Sequence, residues 1–232
     1  MAMIFWFMGL VGCMKQVPVP PTDTPSVEAI DALPSRIAFG SCSKQTKDQP
    51  ILDVIIESKP DLMVYLGDNI YADTRIPGRM RAKYARLARK PEFGRLQQSV
   101  PMVATWDDHD FGTNDGNSLF SMKEESKSIF MDFWGVPQSS DRRGRPGIYG
   151  HHTFESEGRR LQLIVLDTRW FLSPLQENLP GNDRAYDYPF KNQYQPSEDL
   201  DQTLLGAAQW AWLEERLREP ADLRIIASSI QF

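Results

Sequence analysis

The sequence predicts an α/β fold with its chemistry at the ends of parallel strands, and three observations carry that expectation. Four short apolar runs, at 36–40, 62–67, 101–105 and 161–167, end in glycine or lead straight into acidic residues. Unbroken runs of this length read as strands buried on both faces of a parallel sheet. Residues 50–59 between the first two runs have helical character, which makes a strand-helix-strand unit. The residues just after the runs are Cys42, then Asp68, Asn69, Tyr71 and Asp73, then Asp107 to Asp110, then Asp167 and Arg169. Open α/β sheets carry their sites just beyond the carboxyl ends of such strands.

Composition sets the outer bounds. A chain of 232 residues, 41% hydrophobic and 25% charged, can bury a real core, and most of it should form one domain. A net charge of -5 and a pI near 5.3 argue against general nucleic-acid binding, which needs a basic surface. Two cysteines imply no disulfide framework, and histidine is scarce, at His109, His151 and His152.

In chain order, residues 1–12 are almost wholly apolar and too short to span a bilayer, with the length of an export-signal core. Leu10-Val11-Gly12-Cys13 resembles the lipobox of bacterial lipoproteins, in which the cysteine is lipidated. Met14 to Pro34 holds five prolines and reads as a tether. The expected organisation is therefore a signal-like segment 1–13, a linker 14–34 and a domain 35–232. The protein is expected to be exported and held to a membrane by a lipid at Cys13.

The first strand, Arg36 to Phe39, ends in Gly40-Ser41-Cys42. A cysteine there is a buried filler, a metal ligand or a nucleophile. The helix at 50–59 is expected to bury Ile51, Val54 and Ile55. The second strand ends at Gly67, where the chain can turn sharply, and the oxygen donors that follow suit a hard or borderline cation. The basic stretch Arg75 to Arg95 places Met80, Tyr84 and Leu87 on one helical face, with its charges solvated or forming a positive rim. In the third repeat His109 lies among Asp107, Asp108 and Asp110, as a metal ligand, a proton donor to a leaving group or a solvated tip.

Residues 118–134 read as a helix with Ile129, Phe130 and Phe133 inside. His151 and His152 fall on an edge strand paired with 161–167. Arg169, at the end of that fourth run, suits bidentate binding of a phosphate oxygen. Ser173 to Asp201 is long, polar and proline-broken, as lids and insertions are, with Tyr186, Tyr188 and Tyr194 placed to line a cleft, or else it is a disordered stretch. Trp210, Leu213 and Leu217 recur at helical spacing, and 225–232 reads as a last strand still running. The repeated grammar suits two cations side by side at the sheet edge, polarising a phosphate and generating hydroxide.

Gly40-Ser41-Cys42, Leu66-Gly67-Asp68-Asn69-Ile70-Tyr71-Ala72-Asp73, Trp106-Asp107-Asp108-His109-Asp110 and Leu166-Asp167-Thr168-Arg169 together resemble the alkaline phosphatase D (PhoD-like) family of metallophosphoesterases. The resemblance implies a central β-sandwich flanked by helices and hydrolysis of phosphomonoesters and phosphodiesters, small molecules or polymers. It makes Cys42 and Tyr71 ligands of Fe(III), Asp68 the bridge to a second cation, Ca(II), and Asp108, or Asp107 in its place, a ligand of that second ion. It makes His109 the residue assisting the leaving group, with Asn69 and Arg169 at the substrate. The family's later ligands, in a Gly-Asp-Val-His type segment, are not in this sequence. The expected fold is therefore incomplete at the C-terminus and the site half-built, inactive alone. Two other classes compete: an exported binding module that keeps the α/β shell without turnover, and an esterase with Cys42 as nucleophile.

Overall fold

A computed structural model describes residues 25–177 and 194–231. Cys13, Tyr186 and Tyr188 lie outside the described residues. In chain order the elements are β1 (Ile37–Gly40), α1 (Ile51–Glu57), β2 (Leu62–Leu66), α2 (Pro77–Ala88), α3 (Pro91–Ser99), β3 (Met102–Thr105) and α4 (Asp108–Phe111). They continue with α5 (Lys123–Phe133), α6 (Asp141–Gly144), β4 (Gly150–Ser156), β5 (Arg159–Val165), α7 (Gly206–Arg218) and β6 (Leu223–Ala227).

The strands form two three-stranded sheets. One is all parallel in the order β1-β2-β3; the other has β4 antiparallel to β5 and β5 parallel to β6. Side chains alternate across a strand, so each sheet offers two faces. Leu62 and Val64 of β2 meet Leu161, Leu163 and Val165 of β5 in one buried cluster, which is the interior of a β-sandwich. Met63 and Tyr65 point the other way, into a cluster with Met80, Tyr84, Phe93, Phe130 and Phe133 from α2, α3 and α5. Ile164 and Leu166 pack outward against Leu205 and Leu213 beside and within α7. The result is helix, sheet, sheet, helix: the sandwich flanked by helices that the resemblance implied.

Four boundaries differ from the sequence reading. Ile51 and Val54 are 60% and 56% exposed, whereas Leu52 is buried and Ile55 and Ile56 touch the core. Helix α1 is thus rotated from the expected face because it packs on α3. The expected linker is packed at its end: Val27, Ile30 and Leu33 join the sandwich cluster, so the folded unit begins before Ser35. Helix α5 starts at Lys123 rather than near Ser118, after turns at 118–122. Strand β6 stops at Ala227, the Ser228 hydroxyl donates to the Ile230 carbonyl, and residues 228–231 do not continue the strand.

His151 and His152 sit on β4, opposite Ile164 and Leu163, at a sheet edge as expected. The edges at β1 and β6 carry exposed Phe39 and Ile226. Among the described residues no helix is long and apolar enough to cross a membrane.

Candidate metal centre

Parallel strands send their carboxyl ends to one rim, and the two sheets share it. The Thr105 hydroxyl, ending β3, donates to the Leu166 carbonyl just past β5 (2.7 Å), and the Trp106 indole donates to Asp167 (2.8 Å). Past β6, the Ser229 hydroxyl donates to Asp107 (3.0 Å). The ends of β3, β5 and β6 therefore converge.

At this rim the backbone is forced into the left-handed region. Gly67 has φ +105°, and Asp68 and Cys42 follow their glycines at φ +53° and +58°. A Cβ on Gly67 would lie 2.6 Å from the Cβ of Asp107, so only glycine lets the loops after β2 and β3 touch. Left-handed non-glycine residues cost of order 1–3 kcal/mol each and gather where function requires them. Here the amides of Cys42 and Ser43 donate to the carbonyls of Gly67 (3.2 Å) and Asp68 (2.8 Å), which straps the loop after β1 onto the loop after β2.

Asp68, Asp108 and His109 each bring one ligand atom to within 4.8 Å of the others. The Cys42 sulfur is 3.7 Å from Asp68 Oδ2, and the Tyr71 phenol lies close enough to Asp68 and Cys42 for their charges to act on it. Tyr71 stacks on the His109 ring at 4.2 Å. Two carboxylates at this separation repel by about 3 kcal/mol at an effective dielectric near 20. Burial first, and then the Asp108 carboxylate, push Asp68 up to about 6. One Asp68 oxygen, Oδ1, is buried with no hydrogen-bond partner. Buried carboxylate oxygens are nearly always satisfied, so a bare one facing a second carboxylate, an imidazole, a thiol and a phenol fits a cation.

His109 Nδ1 lies 2.7 Å from Asp73 Oδ1. Burial opposes the imidazolium, but the bond to Asp73 and the charges of Asp108 and Asp68 outweigh it and raise the pKa. Tyr71 is raised by burial and then by Asp68, and stays a phenol in the metal-free state.

Of the two adjacent aspartates, Asp108 faces the cluster. Asp107 turns aside to accept from Arg169 Nε (2.5 Å) and Ser229. One substrate assignment needs correction. Asn69 is fully buried; its side-chain amide donates to the Thr105 carbonyl (2.8 Å) and to Asp110 (2.5 Å), which leaves it no approach to a ligand. Arg169 is 7% exposed; its Nε is taken by Asp107, and its Nη2 lies 4.0 Å from Asp108, so it braces the rim at the edge of the cluster. Asp167, grouped with the donors in the sequence, is a buried hub that accepts four N–H groups, from Trp106, Ile148, Arg169 and Trp170.

Other supports had little or no sequence signal. Asp73 belongs to the same motif as Asp68, but nothing in the sequence pairs it with His109, 36 residues on. Gln45 bonds the backbone of Tyr71 at both its N–H (2.9 Å) and carbonyl (3.2 Å). Lys83, on the basic face of α2, donates to the carbonyls of Tyr71 and Ala72 (2.9 and 2.6 Å), so this charge is structural. Ser229 lies beyond β6 with nothing in its surroundings to mark it.

Residues 37–232 match the family model of PhoD-like phosphatases. A solved structure of PhoD matches with a TM-score of 0.66 at 21% identity, over 88% of this chain and 42% of that chain. At that identity the likeness shows the fold, and this chain spans less than half the length of that relative. No curated protein matches this chain.

Proposed function

Since the chain belongs to the PhoD-like phosphatase family over residues 37–232, we propose that it provides one side of a metal-dependent phosphoesterase site acting on phosphomonoesters and phosphodiesters. The observation that carries the proposal is the bare, buried Oδ1 of Asp68 beside Asp108 and His109. Cys42 and Tyr71 would hold a ferric ion, to which thiolate and phenolate are suited. Asp68 and Asp108 would hold a second, oxygen-seeking cation such as Ca(II). Bound metal supplies polarisation of the phosphate and a nucleophile at neutral pH.

The chain's own residues do the rest. Asp73 fixes one nitrogen of His109 and favours the imidazolium, so the other nitrogen would pass a proton to the departing alkoxide. The Asp107–Arg169 pair removes one carboxylate from the site and holds the rim. Turnover is assigned to a protein that also carries the later ligands of a Gly-Asp-Val-His type segment. The apolar stretch 1–12 and Cys13 support export and lipid anchoring of the same protein.

The test is metal content by elemental analysis after loading the chain with iron and calcium. Wild type should retain iron, Cys42→Ala should lose most of it, and Asp68→Asn should lose both metals. Wild type that retains neither, or iron indifferent to Cys42→Ala, overturns the ligand assignment.

A further inference from the structure

The loop after α4, residues 112–118, lies between the acidic cluster and the base of the long 173–203 segment. Its Asp115 has φ +55°, in the left-handed region, and its amide donates to Asp108 Oδ2 at 2.7 Å. The other Asp108 oxygen accepts the His109 amide at 3.0 Å. These two bonds set the plane of the Asp108 carboxylate, and the first depends on Asp115 keeping its conformation.

What holds Asp115 comes from far along the chain. The Tyr194 hydroxyl donates to Asp115 Oδ2 at 2.7 Å, and the Asn114 side-chain amide shares that oxygen at 2.6 Å. Tyr194 is itself fixed: it forms an antiparallel bridge with Glu177, and the Gln195 amide donates to the Gln176 carbonyl at 2.9 Å. Further down the stem, Ser173 N–H donates to the Thr203 carbonyl (2.9 Å), and the Ser118 amide donates to the Leu172 carbonyl (2.9 Å), which ties the loop to the same base.

We propose that Tyr194 is a positioning residue for the metal centre, acting through Asp115 to aim the Asp108 carboxylate at Asp68 and His109. The inference rests on the metal reading of that cluster. Burial and Asp115 hold the Tyr194 hydroxyl up to about 12, so it remains a donor at neutral pH. Partners of this kind, one bond removed from a metal ligand, typically govern 10–100-fold in metal affinity. Aspartate enters the left-handed region more readily than most residues but is still uncommon there, and the Tyr194 bond adds to what keeps Asp115 in it.

The experiment compares Tyr194→Phe with wild type in two measurements on the full chain. Amide hydrogen exchange, followed by NMR without metal, should show the Asp115 amide exchanging at least about 10-fold faster, with the β2 amides unchanged. Calcium titrated calorimetrically should bind about 10-fold more weakly. Asp115→Asn keeps an acceptor for the hydroxyl and tolerates the left-handed region, so it should behave nearly as wild type in both measurements, whereas Asp115→Ala should behave as Tyr194→Phe. Exchange at Asp115 unchanged in Tyr194→Phe, or accelerated equally throughout the chain, overturns the inference. Wild type that binds no calcium defeats the metal reading, and the exchange measurement still decides whether Tyr194 holds Asp115.

Discussion

Asp167→Asn separates a structural carboxylate from a catalytic one. Both oxygens of Asp167 are committed: Oδ1 accepts from Trp106 Nε1 and the amides of Arg169 and Trp170 at 2.8–3.0 Å, and Oδ2 accepts from the Ile148 amide at 2.8 Å. The residue is fully buried. Asparagine can keep its oxygen where Oδ1 stands and so retain three of the four donors. Its amide nitrogen then faces the Ile148 N–H, donor against donor. One charge-assisted bond lost is about 1.5–3 kcal/mol, and an unsatisfied buried donor costs a similar amount. The expected loss is therefore about 3 kcal/mol, a large share of a typical 5–15 kcal/mol domain stability. With a urea slope of roughly 2–3 kcal/mol/M, the unfolding midpoint should fall by about 1 M. The indole of Trp106, buried and bonded to this carboxylate, provides the fluorescence signal. Metal retention measured in the absence of urea should be unchanged. An unshifted midpoint combined with lost metal would show that Asp167 serves the ions and that the hub interpretation is wrong.

Two other perturbations follow from the same coordinates. His152, on the inner face of β4, is pushed down to about 4 by burial and by the Arg142 guanidinium. It is neutral when folded but takes up a proton near pH 6.5 when unfolded, so its contribution is complete above pH 6.5 and fades as pH falls towards 4. The loss is up to about 3 kcal/mol, reduced by partial solvent access. Urea midpoints of His152→Gln measured from pH 7 to 4 should fall less steeply than those of wild type; parallel curves would refute the assignment. Gly67→Ala drives a Cβ against Asp107 at 2.6 Å in a backbone with φ +105°. The expected cost is roughly 2–4 kcal/mol, and because the loops after β2 and β3 must part, metal retention should fall with it. Retention equal to wild type would mean that Asp68 and Asp108 do not depend on this contact.

The layers were legible because period-2 alternation in β2 and β5 is written in apolar residues on both faces. Leu62 and Val64 go one way, Met63 and Tyr65 the other, and each set found a hydrophobic partner layer. Helix α1 was less legible because Ile51, Leu52, Val54, Ile55 and Ile56 offer apolar side chains nearly all round, and only the packing against α3 selects the buried stripe. The rim resisted for another reason. Asp68, Asp107 and Asp167 all follow closely on the end of an apolar run, and local sequence assigns them the same chemistry.

What distinguishes these carboxylates is how many donors reach each one from elsewhere in the chain. Asp167 receives four N–H groups, some contributed 61 and 19 residues away, and is saturated. Asp107 receives the Arg169 guanidinium from 62 residues on and is neutralised by it. Asp68 has one oxygen that receives nothing, although it is buried. A saturated carboxylate holds the fold together, and a bare buried one costs stability that a bound cation would restore. Beside Asp68, Asn69 gives its backbone and side-chain N–H groups to Asp110, and its own side-chain oxygen is buried without a partner like Asp68 Oδ1, but an amide oxygen carries no charge for a cation to neutralise. That difference in saturation, rather than residue type or spacing, is what singles out Asp68 in the candidate site.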